Sequence, residues 1–136
     1  DFSREPLASA SIGQVHSAQV RGEKVAIKIQ YPGVAASIDS DLAILKSVAQ
    51  TFLSFSGKKI DLTETFKEVK EVLQKETDYR NEIQNLKDYR KIIENLPAYV
   101  MPVPNETFST SKVLTMSFEE GTPLREWMIR GPSLTK

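Results

Sequence analysis

Residues 6–30 read PLASASIGQVHSAQVRGEKVAIKIQ, and this stretch decides the fold. Ile12 to Val20 alternates loosely between apolar and polar positions, Arg21-Gly22-Glu23 has the composition of a tight turn, and Lys24 to Gln30 is a second β-rich run. Period-two alternation broken by a glycine turn is the pattern of a hairpin, so two antiparallel strands are the natural reading. Tyr31-Pro32-Gly33 ends the second strand, because proline has no N–H for a ladder and glycine frees the turn.

Working outward, the period changes. From Val34 to about Leu53 the apolar positions Ile38, Leu42, Leu45, Val48, Ala49 and Phe52 recur at three and four, a helical stripe that predicts a core-facing helix. A loop is expected at Ser56-Gly57-Lys58-Lys59. Asp61 followed by Glu64 has the form of a capping box and opens a predicted second, long helix from Leu62 to about Leu96, with Leu62, Phe66, Val69, Leu73, Ile83, Leu86, Tyr89 and Ile93 as its stripe. After Pro97, two short β-like runs, 99–103 and 112–118, are expected to complete an antiparallel sheet, and Thr122-Pro123 to open a last short helix through Trp127. The order β, β, helix, helix, β, β, helix is that of an α+β domain with helices on one side of the sheet.

Composition narrows the function. Eighteen Lys+Arg balance eighteen Asp+Glu in 136 residues, so no overall field draws the chain to nucleic acid. With no cysteine and one histidine, His16, a disulfide scaffold, a thiolate zinc site and a multi-histidine metal site are all excluded. No run approaches the roughly 18 apolar residues of a membrane span. The chain opens on Asp1 and closes in GPSLTK soon after a predicted helix start, as a segment of a longer protein would.

Two features carry chemistry. Ala8-Ser9-Ala10-Ser11-Ile12-Gly13 with Val15 has the spacing of a phosphate-cradling G-x-G-x-x-G-x-V loop, with Ala8 and Ala10 in place of the first two glycines. Small side chains let backbone N–H groups approach phosphate oxygens, and alanine narrows φ and stiffens the loop; on its own the stretch reads more readily as a tight turn of small residues. In Val25-Ala26-Ile27-Lys28, alternation puts Ala26 and Lys28 on one strand face, a small residue for an adenine ring and an ammonium for phosphates. A lysine so placed needs a carboxylate to hold its charge. Glu76, Asp78 and Glu82, on a polar interruption of the second helix, are the candidates; otherwise they form a solvated acidic face offset by Lys75 and Arg80.

Three stretches, PLASASIGQVH (6–16), VAIKIQYPGV (25–34) and KETDYRNE (75–82), resemble the UbiB-type atypical kinases, associated with ubiquinone and other isoprenoid-lipid metabolism. The resemblance implies a protein-kinase-like N-lobe over residues 1–121 with a helical insertion at 34–60, and residues 122–136 as the hinge exit and the start of a second lobe. It implies that Ala8, Ser9, Ala10, Ser11, Ile12, Gly13, Val15 and Ala26 surround a nucleotide, that Lys28 meets its phosphates, and that Glu82, not Glu64 or Glu68, pairs with Lys28. Glu76 and Asp78 become the family's E-x-D motif. Met116 becomes the gatekeeper, with Ser117 to Glu119 offering backbone groups to adenine.

The cofactor implied is ATP or ADP with Mg²⁺, its metal ligands outside this chain, and the partners implied are an isoprenoid lipid or quinone-biosynthesis proteins. The location implied is intracellular, at a bacterial cytoplasmic or inner-membrane site or in a mitochondrion. A non-catalytic pseudokinase scaffold or nucleotide sensor is the alternative, and the chain by itself is not expected to turn over ATP.

Overall fold

A computed structural model describes residues 1–57 and 60–131. The hairpin forms as β2 (Gly13–Val20) and β3 (Glu23–Gln30). Its two-residue turn places Arg21 at φ 54° and Gly22 at φ 87°, the doubly left-handed backbone whose twist matches the flanking strands. A two-residue strand β1 (Ala8–Ser9) precedes it and β4 (Val113–Ser117) follows, in the antiparallel order β1-β2-β3-β4.

The register sets what each face carries. Val15, Lys28 and Leu114 are cross-strand partners, as are Ser17, Ala26 and Met116, so these residues share one face. The other face holds His16, Ile27 and Thr115 in line. It is covered by the N-terminal residues: Phe2 stacks on the His16 ring at 5.0 Å and bridges Ala18, and Ser3 accepts a 3.0 Å contact from His16 Nδ1 at its carbonyl. Thr115 Oγ1 donates to the Phe108 carbonyl at 2.7 Å, from a short 3₁₀ turn at Glu106–Phe108.

Four α-helices complete the described chain: α1 (Val34–Phe55), α2 (Thr63–Glu76), α3 (Tyr79–Ile93) and α4 (Leu124–Ile129). Gly33, at φ 82°, turns the chain out of β3 into α1. Three expectations are corrected here. First, the single long helix over 62–96 is two helices. Asp78 leaves helical geometry with φ −114° and accepts from the Arg80 N–H at 3.0 Å, making it the N-cap of a new helix. Neighbours fix the break: the Tyr79 N–H donates to the Ser111 carbonyl at 2.9 Å, and Gln30 Nε2 to the Thr77 carbonyl at 2.9 Å.

Second, the stripe of α1 is core only at its start. Ile38 is buried, but Leu45, Val48 and Phe52 are more than half exposed, because α1 packs on α2 as a hairpin instead of on the sheet, tied by Lys70–Asp39 at 3.0 Å and Lys46 Nζ to Thr63 Oγ1 at 3.0 Å. Tyr89 likewise lies off the buried stripe of α3, at 58% exposure. Third, residues 99–103 form no strand. Pro102 and Pro104 cannot donate, and the segment meets β4 through Ser117 N–H to the Val103 carbonyl, Asn105 N–H to the Thr115 carbonyl and an isolated Pro104–Met116 bridge.

Smaller details shift at helix ends. The expected capping box does not form: Leu62, not Asp61, is the N-cap of α2 and makes no side-chain cap, Asp61 Oδ1 accepts from the Thr63 N–H at 2.9 Å, and Glu64 turns to Lys67. Pro123, not Thr122, is the residue before α4. Lys58, Lys59 and residues 132–136, where part of a loop and the end of the expected second-lobe start fall, lie outside the described residues.

Candidate functional site

The core that seats α3 on the sheet is Tyr79, Ile83 and Leu114, with Ile12, Leu86 and Met116 packed around it. Leu114 and Met116 of this core come from the strand face that carries Lys28. Packing α3 there brings its fourth residue, Glu82, to the strand lysine: Lys28 Nζ donates to Glu82 Oε1 at 2.8 Å and to Oε2 at 2.7 Å. The lysine side chain is 19% exposed and the glutamate 38%. A half-desolvated ammonium bound to both oxygens of one carboxylate is held in a charge-assisted geometry that a surface pair rarely keeps.

The break between α2 and α3 does the rest. Glu76 ends α2 and Asp78 caps α3, so the turn at Thr77 swings both acids to one side. They line a cleft of about 540 Å³ with Ser11, Ile12, Lys28 and Glu82. Had the helix run on, Asp78 and Glu82 would be a repelling i, i+4 pair. At a helix N-terminus they instead face the positive end of the backbone dipole, with Lys28 beside Glu82.

The other predicted site residues divide into three groups. Ala8 and Ser9 sit in β1, paired with Val15 and Gln14, and the loop beyond them closes through Ala10 N–H to the Gly13 carbonyl at 2.8 Å. Val15, Ala26 and Met116 lie on the Lys28 face of the sheet but outside the acidic cleft. Ser117 and Glu119 are joined by a short hydrogen bond from Ser117 Oγ to Glu119 Oε1 at 2.5 Å. The Ser117 amide is bonded to the Val103 carbonyl at 2.9 Å, so it is not free for a ligand.

Sequence reasoning gave no role to Tyr79, Gln30 or Ser111. Tyr79 could have been found, because it extends the buried Ile83 and the partly buried Leu86 backward at helical spacing. Gln30 donates its side-chain amide to the Thr77 carbonyl and the Ser111 carbonyl accepts from the Tyr79 N–H, long-range bonds that no local pattern announces. Among the described residues no group of three or more His, Asp or Glu is placed to hold a metal ion. A larger hollow, about 640 Å³, lies behind the C-terminal half of α3 against Tyr99–Pro104 and is separate from this cleft.

Comparison with known proteins decides the family, since the model of the ABC1 atypical kinase-like domain matches residues 1–129. The chain belongs to the ABC1 atypical kinase-like family. It is 38% identical over 124 residues to the mitochondrial atypical kinase COQ8 of Saccharomyces cerevisiae, covering 90% of this chain and 25% of that protein. It is 40% identical over 128 residues to a chloroplastic aarF domain-containing protein kinase of Arabidopsis thaliana, covering 93% and 18%. Among solved structures, the complex of Rv3197 from Mycobacterium tuberculosis with erythromycin superposes with a TM-score of 0.75 at 33% identity, over 97% of this chain and 33% of that one. The chain therefore spans a third or less of the length of these ABC1 relatives. Its architecture is that of their kinase-like N-lobe, and no helix among the described residues is long and apolar enough to cross a membrane.

Proposed function

We propose that this chain is the nucleotide-holding N-lobe of an ABC1-family atypical kinase or ATPase that takes an adenine nucleotide with Mg²⁺ and supports isoprenoid-quinone synthesis. The observation that carries the reading is the two-oxygen Lys28–Glu82 contact, on the same cleft as Ser11 and Ile12 of the small-residue loop. Glu82 occupies two of the three ammonium donors, leaving one for an anion. Phosphoryl transfer depends chiefly on positioning and charge stabilisation, which a fixed ammonium and a cradle of small residues supply.

ATP would bring the transferable phosphoryl group. The chain's own residues bind and orient: Lys28 neutralises phosphate oxygens, Glu82 keeps Lys28 from swinging away, the 8–13 loop covers the phosphates, and Ala26 and Met116 border the adenine. The link to quinone synthesis rests on the similarity to COQ8. A second reading, a nucleotide sensor without transfer, is favoured by Ala8 and Ala10 in a loop tied back by Ala10 N–H to the Gly13 carbonyl, a cradle with little freedom to follow a moving phosphoryl group.

Calorimetric binding of Mg-ADP, AMP and adenosine to the wild type and to Lys28→Ala tests the proposal. The expected result is a gain in affinity with each phosphate that the variant loses. Equal binding of all three ligands by both proteins would remove Lys28 from any phosphate role. Phosphate-dependent binding with no turnover by the full-length protein would favour the sensor.

A further inference from the structure

Neither the proposed nucleotide site nor the E-x-D acids give Tyr79 a task, yet it is among the most deeply buried side chains described, with no exposed surface. It is the first residue of α3, three before Glu82, and its backbone is anchored by the bond to the Ser111 carbonyl. The Lys28 Nζ lies 5.0 Å from the centroid of its ring. One turn of α3 thus presents two unlike groups to a single ammonium, the Glu82 carboxylate and the Tyr79 ring. Among the described residues the hydroxyl has no hydrogen-bond partner, which is rare for a buried polar group and calls for a reason. Its place supplies one: a Cβ on Gly13 would come within 2.8 Å of the hydroxyl oxygen, so that oxygen fills the space beneath the end of the loop.

We propose that Tyr79 is a positioning residue, its ring aiming the Lys28 ammonium and its hydroxyl oxygen seating the Gly13 end of the loop, so that lysine, loop and α3 keep one mutual geometry. A carboxylate fixes how far an ammonium stands but leaves a flexible four-carbon stem free to pivot about it. A ring face at cation–π distance removes part of that freedom, an attraction that shifts a two-state equilibrium by about threefold when exposed and about thirtyfold when desolvated. That the aimed ammonium serves a phosphate rests on the function proposed above; the aiming itself does not.

The test uses the intact protein with ¹⁵N-labelled lysine side chains and reads the rate at which the Lys28 ammonium protons exchange with water. Tyr79→Phe keeps the ring and Tyr79→Leu removes it. Pentafluorophenylalanine in place of Tyr79 keeps ring volume while reversing the ring's charge distribution, and so serves where the leucine variant does not fold. The expected result is wild-type exchange with phenylalanine and exchange at least about threefold faster with leucine and with the fluorinated ring, with sheet amide dispersion retained. Amide exchange at Ser11 to Gly13 should also quicken in Tyr79→Phe, where the prop is missing.

Wild-type ammonium exchange with the fluorinated ring overturns the aiming role whatever nucleotide does, and unchanged loop exchange in Tyr79→Phe overturns the seating role. Faster ammonium exchange in a series in which even the wild type ignores Mg-ADP would retain Tyr79 as the positioning residue and reject the nucleotide reading instead.

Discussion

Gly13→Ala is the sharpest perturbation that the fold allows. Gly13 begins β2 opposite Gln30, and a Cβ built there would lie 2.3 Å from the Ile29 carbonyl oxygen, 3.0 Å from the Ile29 carbonyl carbon and 2.8 Å from the Tyr79 hydroxyl. Atoms in ordinary contact stand about 3.5–4.0 Å apart, so relieving the first clash means moving β3 backbone by more than an ångström. That backbone is bonded on both sides, to β2 and β4. Overpacking of this kind costs about 1–3 kcal/mol when side chains can give way, and a backbone obstacle puts this case at the upper end, about 3 kcal/mol.

For a chain of this size that is a fall in Tm of about 9–12 °C. Urea melts followed by circular dichroism would measure the free-energy loss, and thermal melts the shift in Tm. Adding Tyr79→Phe should recover little, because the 2.3 Å clash is with backbone and remains. A loss below about 0.5 kcal/mol, the range of an ordinary surface change, would refute the reasoning, as would full rescue by the second substitution.

Three further outcomes follow from the geometry. Glu82→Gln keeps the shape but removes the charge beside Lys28; nucleotide affinity should fall about tenfold by calorimetry, the size of a charge-assisted bond, with stability changed by less than about 1 kcal/mol since Glu82 is partly exposed. Asp78→Ala removes the cap of α3 and should cost about 1 kcal/mol in a denaturant melt, with Asp78→Asn nearly silent. Burial first, and then the nearby Glu82 charge, hold the Tyr79 hydroxyl up to about 12 from an ordinary 10.0. The unfolded chain therefore loses that proton first. Below pH 10.0 the group adds no pH dependence, and between there and about 12 the wild type should lose about 2–3 kcal/mol relative to Tyr79→Phe in melts taken at stepped pH.

Local chemistry explains what the sequence disclosed. The hairpin was legible because alternation and a glycine turn are short-range signals, and the structure realises it with Arg21 and Gly22 at positive φ. The contact of Lys28 with Glu82 was legible only through family resemblance, since 54 residues separate them and three acids stood as candidates. The helix break was hidden because Thr77-Asp78 carries neither glycine nor proline; it is enforced from outside by Gln30 and Ser111. The exposed distal stripe of α1 was misread for a related reason. Periodicity shows that a face is apolar, not what lies against it, and α1 packs against α2, which is shorter.

The proposed nucleotide site requires that the face of Lys28 receive phosphates. Residue-resolved amide shifts during titration with Mg-ADP and Mg-ATP, for the wild type and Lys28→Ala, measure this directly. Shifts at residues 8–13, Lys28 and 116–119, with the phosphate-dependent part lost in the variant, are predicted. Shifts elsewhere, or the same shifts in both proteins, would contradict it.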